Sequence, residues 1–186
     1  MISVIADGRW GRRIVDFWRE RVQNQVITWG ARTPAFAAEL ANDMQNVRVA
    51  TYADAIGAHS VIVVAIPIQD LLPWARAHAA SLKGKVIVDM SFPLTNECLT
   101  LYGWHTSGTE QLQKTLPASR VVGMKGPFLR ALAGGWHGDR GSIYVTSDDD
   151  DAKTQALKLL CGSDDQLIDA GKLEENRAID RISSMG

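Results

Sequence analysis

The sequence is poor in the features that mark several functional classes. Its 186 residues include two cysteines, Cys98 and Cys161, far apart and in no metal-ligand or redox spacing. That excludes a disulfide scaffold and makes free thiols in a reducing compartment the expectation. Charge of one sign is also lacking: 20 Lys and Arg against 21 Asp and Glu leave a net charge of -1, so no overall field draws the chain to nucleic acid or to an anionic membrane. The longest apolar run, Val61 to Ile68, is too short to cross a bilayer and contains Pro67. The first residues enter an apolar strand pattern directly, without the basic, apolar and small-residue regions of a signal peptide. The four histidines, His59, His78, His105 and His137, are scattered, and no nucleophile-elbow motif is present, so neither a metal site nor a Ser-His-Asp hydrolase is expected. These absences leave a cytoplasmic protein whose partners are small molecules, with no nucleic acid and no membrane.

What is present is a regular alternation. Short apolar runs at Ile2–Ala6, Gln25–Trp29, Val47–Ala50, Ser60–Pro67, Val86–Met90 and Arg120–Met124 are separated by amphipathic segments, the pattern of βαβ units around a parallel sheet. Trp10 to Arg21 places Ile14, Val15, Phe17 and Trp18 near one helical face; Thr33-Pro34 supplies a helix cap followed by proline at the first turn. The helix in "QDLLPWARAHAASL" is expected to begin near, or kink at, Pro73. Two further strand and helix pairs follow: "GSIYVTS" with "DDDDAKTQALKLL", then "QLIDAG" with "KLEENRAIDRISS". The fold class is therefore α/β: one domain spanning 1–186, a Rossmann-type, doubly wound, mainly parallel sheet with a short α/β C-terminal extension.

The first strand ends in Ala6-Asp7-Gly8-Arg9-Trp10-Gly11. A dinucleotide turn reads G-x-G-x-x-G between a strand and a helix; its glycines permit a tight bend, close approach of pyrophosphate to the backbone, and close helix–strand packing. Gly8 and Gly11 retain the last two roles, and Ala6 is tolerable if its φ stays negative. Asp7 would repel a pyrophosphate, so its carboxylate is expected to point away or to be compensated by Arg9 or Arg12. The alternative is an ordinary glycine-containing turn. About twenty residues after Gly11 comes "WGARTP", with no acid for a ribose 2′-hydroxyl; Arg32 and Thr33 there suit a 2′-phosphate, which points to NADP over NAD. The alternative reading of Arg32 is a solvent-facing loop residue.

Other candidates have two readings each. Asp148 to Asp151 precede a helix and are read as a cap and dipole partners rather than a metal site. Lys125, following the sixth strand, is either a charge partner for an anionic acceptor or a solvated lysine. The stretch Gly126 to Gly141, with five glycines, is expected to be an irregular, mobile cover over a site. The six tryptophans are read mainly as packing residues.

In its segments "VIADGRWGRRI", "WGART", "VIVVAIPIQDL", "GKVIVDMSFPL", "GTEQLQKTLPASRVV" and "VTSDDDDAKTQALKLL…LIDAGKLEENRAID", the chain resembles the NADP oxidoreductases dependent on the deazaflavin coenzyme F-420 and their STEAP-like reductase relatives. The resemblance implies Gly8, Arg9, Trp10 and Gly11 at the pyrophosphate and Gly30, Ala31, Arg32 and Thr33 at the adenosine 2′-phosphate. It implies Ile66 and Pro67 near the nicotinamide-side ribose, and Ser91, Phe92 and Pro93 near the ring. It also implies direct hydride transfer between NADP and F-420 or a flavin-like acceptor, without a proton-transfer triad, and a homodimer. Two departures, "GMKGPFLRAL" after the sixth strand and an end soon after Asp180, favour a rival: a non-catalytic Rossmann-fold module that binds or senses NADP.

Overall fold

The computed structural model describes residues 1–91, 102, 104–134 and 141–184. An eight-stranded sheet in the order β3-β2-β1-β4-β5-β6-β7-β8 organises these residues. Strands β1 (Ser3–Ile5), β2 (Ile27–Gly30), β3 (Val47–Ala50), β4 (Val61–Val64), β5 (Val86–Asp89) and β6 (Arg120–Lys125) are parallel. β7 (Ile143–Ser147) runs antiparallel to β6, and β8 (Leu167–Gly171) is parallel to β7. The first six strands reproduce the doubly wound order, which reverses direction between β1 and β4 and opens a crevice at their carboxyl ends.

Side-chain alternation places helices on both faces. Ile2, Val4, Ala6, Val63, Val86, Val88 and Val122 join one apolar cluster with Ile14, Phe17 and Trp18 of α1 (Gly8–Arg21). It also takes in Ala37 of α2 (Pro34–Leu40) and Phe128 and Leu129 of the later helix α6 (Pro127–Ala133). The residues between them, Ile5, Ile62, Val64 and Ile87, face the other cluster. There they meet Ala55 and Ile56 of α3 (Tyr52–Ala58), Leu71, Trp74 and Ala75 of α4 (Ile68–Leu82), and Leu112 of α5 (Gly108–Thr115). Each fully buried aliphatic side chain contributes about 1.5–3 kcal/mol, so both layers stabilise the sheet.

α4 starts at Ile68, capped by Pro67, and carries Pro73 inside it. Of the two expectations, a start near Pro73 or a kink at it, the start is overturned by more than a turn, because Pro67 already supplies the break between strand and helix and Ile68, Leu71 and Ala75 are buried on one face. β2 lies at Ile27–Gly30, two residues later at its start than the apolar pattern indicates. The stretch from Gly126 corrects a larger expectation: it forms α6, with Phe128, Leu129 and Leu132 in the core. Glycine density suggested a cover, but the apolar spacing of "PFLRALA" prevailed; residues 135–140 of that stretch lie outside the described residues.

The chain continues through α7 (Asp150–Leu159), a short 3-10 helix (Leu173–Glu175) and α8 (Asn176–Ser184). Asp149 caps α7 by accepting from the Ala152 N–H at 2.8 Å, with Asp150 and Asp151 in the first turn, as the acidic run indicates. Asp148 accepts from the Leu173 N–H at 3.1 Å instead. Cys161 is an exposed free thiol; Cys98 lies outside the described residues. Among the described residues no helix is long and apolar enough to cross a membrane.

Candidate functional site

The first turn is built for close approach. Gly8 has φ +62°, and a Cβ placed on it would meet no protein atom within 4 Å. Gly11 is the opposite: its Cβ would lie 2.9 Å from Cζ2 of Trp29 and 3.0 Å from the Ala6 carbonyl carbon, so glycine is needed for α1 to pack on β1 and β2. Ala6 is fully buried and is not among the residues at positive φ, which are Asn24 and Asn46 apart from glycines. Its carbonyl accepts from the Trp29 indole N–H at 2.8 Å. The substitution of the first glycine is thus absorbed without strain.

Asp7 occupies the N-cap position of α1 yet makes no side-chain cap hydrogen bond. Its carboxylate turns to the Arg32 backbone N–H at 2.7 Å and to the Tyr52 hydroxyl. The expected compensation by Arg9 or Arg12 does not occur: Arg12 pairs with Asp43 at 2.8 Å, and Arg9 is exposed. Two consequences follow. The Asp7 side chain leaves the first-turn amides of α1 uncapped, the kind of helix terminus that suits an anion, and the β2–α2 loop is pinned to this turn through the Arg32 N–H. Burial, followed by the adjacent Asp7 carboxylate, pushes the Tyr52 phenol well above its ordinary range; Tyr52 remains a neutral donor. Sequence analysis missed Tyr52, since only the pairing of β2 with β3 brings its helix beside the turn.

Gly30 and Ala31 are buried. A Cβ on Gly30 would lie 2.6 Å from Ala55 Cβ and 2.7 Å from Ile5 Cδ1, so its glycine serves α3–sheet packing. Arg32 and Thr33 emerge into solvent. The Arg32 guanidinium lies 3.7 Å from Asp70 in the first turn of α4, an exposed pair worth about 0–1 kcal/mol that does not hold it from a stronger anion. Thr33 caps α2 by position but not by its hydroxyl; the Phe36 N–H goes to the Thr33 carbonyl at 3.1 Å instead, so the expected side-chain bond is absent and the hydroxyl is free of a capping duty.

Trp10 sends its indole N–H across the β1–β4 crevice to the Ala65 carbonyl at 3.0 Å. Ile66 is buried behind that junction, and Pro67 is half-buried at the cap of α4. Ser91 is fully buried after β5, its N–H donating to Asp89 at 2.8 Å. Phe92 and Pro93 lie outside the described residues.

Lys125 is not the solvated lysine of one reading: it is 1% exposed at the end of β6. Its Nζ lies 3.3 Å from Asp89, 3.4 Å from Ser91 Oγ and 3.6 Å from Asp180 of α8. Burial pulls this ammonium down, but Asp180 and Asp89 together overcome it and the net shift is upward. Burial pushes Asp180 up against the pull of Lys125. No sequence signal joins positions 89, 125 and 180; only strand order and the docking of α8 do.

The matching family model is that of the NADP oxidoreductases, coenzyme F-420-dependent, over residues 1–93. The chain belongs to this family. The matched half contains the phosphate turn, Arg32, the Trp10–Ala65 junction and Ser91, whereas Lys125 and Asp180 lie beyond it. No curated protein sequence matches the chain. Among solved structures, a protein described as an F-420-dependent NADP reductase from Arthrobacter sp. FB24 is similar at 24% identity and TM-score 0.76, with 97% of this chain and 89% of that one covered. A hypothetical protein of Sinorhizobium meliloti gives 18% identity and TM-score 0.79 over 100% and 93% of the two chains. An imine reductase from Bacillus cereus gives 18% and 0.62, covering 95% of this chain and 57% of its own. At these identities the likeness shows the fold alone.

The residues present fit the family's dinucleotide. Gly8 offers open space beside uncapped helix amides, and an exposed arginine stands where the second strand of such a fold meets the adenosine. A methyl group at Gly8 tests the first of these. Gly8→Ala is expected to cost about 1 kcal/mol of stability from the left-handed φ and to weaken NADP binding as well. Urea denaturation and calorimetric titration of the same variant check both effects; an unchanged affinity would show the loop to be a turn and nothing more.

Proposed function

We propose that the protein is an NADP(H)-dependent oxidoreductase that passes hydride directly between NADP and a flavin or the deazaflavin coenzyme F-420. The observation that carries the reading is the pinned phosphate end: Asp7 holds the Arg32 amide at 2.7 Å and leaves the guanidinium exposed beside an uncapped helix terminus. In this reading the Gly8 to Gly11 backbone takes the pyrophosphate, and Arg32 with Thr33 takes the 2′-phosphate. Ile66, Pro67 and Ser91 border the nicotinamide half. The nicotinamide supplies the carbon that exchanges hydride. The residues of this chain bind and orient, and their contribution is alignment of donor with acceptor rather than proton transfer.

Anaerobic stopped-flow mixing of NADPH-loaded protein with F-420 and a panel of flavins tests the reading. Acceptor-dependent loss of NADPH absorbance is the expected outcome. Tight NADPH binding with no oxidation by any acceptor identifies a binding module instead.

A further inference from the structure

Asp89, Lys125 and Asp180 bury three ionisable groups at the carboxyl edge of β5 and β6, where ligands of this fold bind. Such a cluster is a poor source of stability, because well-packed apolar residues of similar volume usually do as well or better. Its wiring points elsewhere. The Asp89 carboxylate accepts from the Ser91 N–H at 2.8 Å and from the Thr109 hydroxyl of α5 at 2.9 Å, with Lys125 Nζ at 3.3 Å. Lys125 also donates to Ser91 Oγ at 3.4 Å. Both the backbone and the hydroxyl of Ser91 are therefore held by this one network.

The network is anchored on α8 by two routes. Asp180 lies 3.6 Å from Lys125. Arg177, on the same helix, makes a two-pronged pair with Glu110 of α5 at 2.6 and 3.1 Å, next to the Thr109 that holds Asp89. One turn before Asp180, Asn176 donates to Thr146 of β7 at 2.6 Å, in space left by Gly123, whose Cβ would fall 2.9 Å from Asn176 Nδ2. Helix α8 is thus seated by polar contacts to β7, α5 and β6, of which Asp180–Lys125 leads to Ser91.

We propose that Asp180 and Lys125 are positioning residues for the Ser91 turn, so that α8 sets how the nicotinamide half of the dinucleotide is held. The inference rests on the NADP reading of the site and gives the region beyond residue 93 a part in it. Neither residue touches the dinucleotide; both act through Ser91.

The test uses the full chain and two ligands, NADPH and 2′,5′-ADP, the latter carrying only the adenosine-side phosphates. In Asp180→Asn, which keeps the shape and removes the charge, NADPH affinity is expected to fall about tenfold, the scale at which residues without ligand contact modulate a site. Affinity for 2′,5′-ADP should stay at the wild-type value, and the fluorescence of bound NADPH should change with its ring environment. Unchanged NADPH affinity overturns the proposal, and so does an equal loss for both ligands, which would mark a general structural role. Should Asp180→Asn not fold, Arg177→Gln, at a half-exposed position, is measured with the same pair. A loss confined to NADPH supports the proposal, and wild-type values overturn it. Failure of the wild-type protein to bind 2′,5′-ADP would sink the NADP reading itself, which separates the two failures.

Discussion

Replacing Lys125 by methionine is expected to lower the unfolding free energy by about 3–5 kcal/mol, the cost of removing one partner from a buried ion pair. The lysine is 1% exposed and lies 3.3 Å from the fully buried Asp89. Methionine fills much of its volume, so the loss is electrostatic rather than a cavity: Asp89 keeps the Ser91 N–H and the Thr109 hydroxyl as donors but loses its cation. A solvated lysine on the surface would cost less than about 0.5 kcal/mol at the same substitution. Adding Asp89→Asn to Lys125→Met is expected to restore part of the loss, because one of the two carboxylates left without their cation disappears with it while Asp180 remains. Urea denaturation of the two single variants and the double variant completes the cycle. Additive losses would show that the two groups do not sense one another.

Arg32→Ala is expected to weaken NADP binding by about ten- to a hundredfold, the equivalent of one charge-assisted hydrogen bond of about 1.5–3 kcal/mol. NAD affinity should hardly change. The structure makes this a clean substitution: the contact that fixes the loop is the Arg32 backbone N–H to Asp7, which alanine retains. The guanidinium goes, and with it an exposed pair with Asp70 at 3.7 Å that contributes about 0–1 kcal/mol and a contact with the Tyr52 hydroxyl, which keeps its bond to Asp7. Thr33→Ala is a milder companion, expected to cost about 0.5–1.5 kcal/mol of NADP binding. Since the Thr33 hydroxyl does not cap α2, little helix stability is lost with it. Titration of NADP and NAD into wild type and Arg32→Ala gives four affinities; equal losses for both nucleotides would place the arginine elsewhere on the cofactor.

Some of this protein was determined by the sequence alone, because the signals are local. A parallel sheet buried on both faces demands short apolar runs, and a chain that must cross from strand to strand demands amphipathic helices between them; both are visible without coordinates. The turn at Gly8 and Gly11 and the strand end before Arg32 were legible for the same reason, since each is described by a few adjacent residues. The acidic run at 148–151 announced a helix start, and Asp149 caps it.

The tertiary structure decided whatever depends on residues far apart in the chain. Asp7 looked like an unfavourable charge in a phosphate loop until the sheet brought Tyr52 and the Arg32 amide to its oxygens, across 45 and 25 positions of sequence. Lys125 looked like a surface cation until β5, β6 and α8 enclosed it between Asp89 and Asp180. Glycine density at 126–141 suggested a cover, and the burial of Phe128, Leu129 and Leu132 made half of it a core helix. The physical reason is common to all three. Propensity and turn chemistry are paid residue by residue, whereas desolvation of a charge is decided by which groups the fold places within about 4 Å of it, and composition carries no record of that distance.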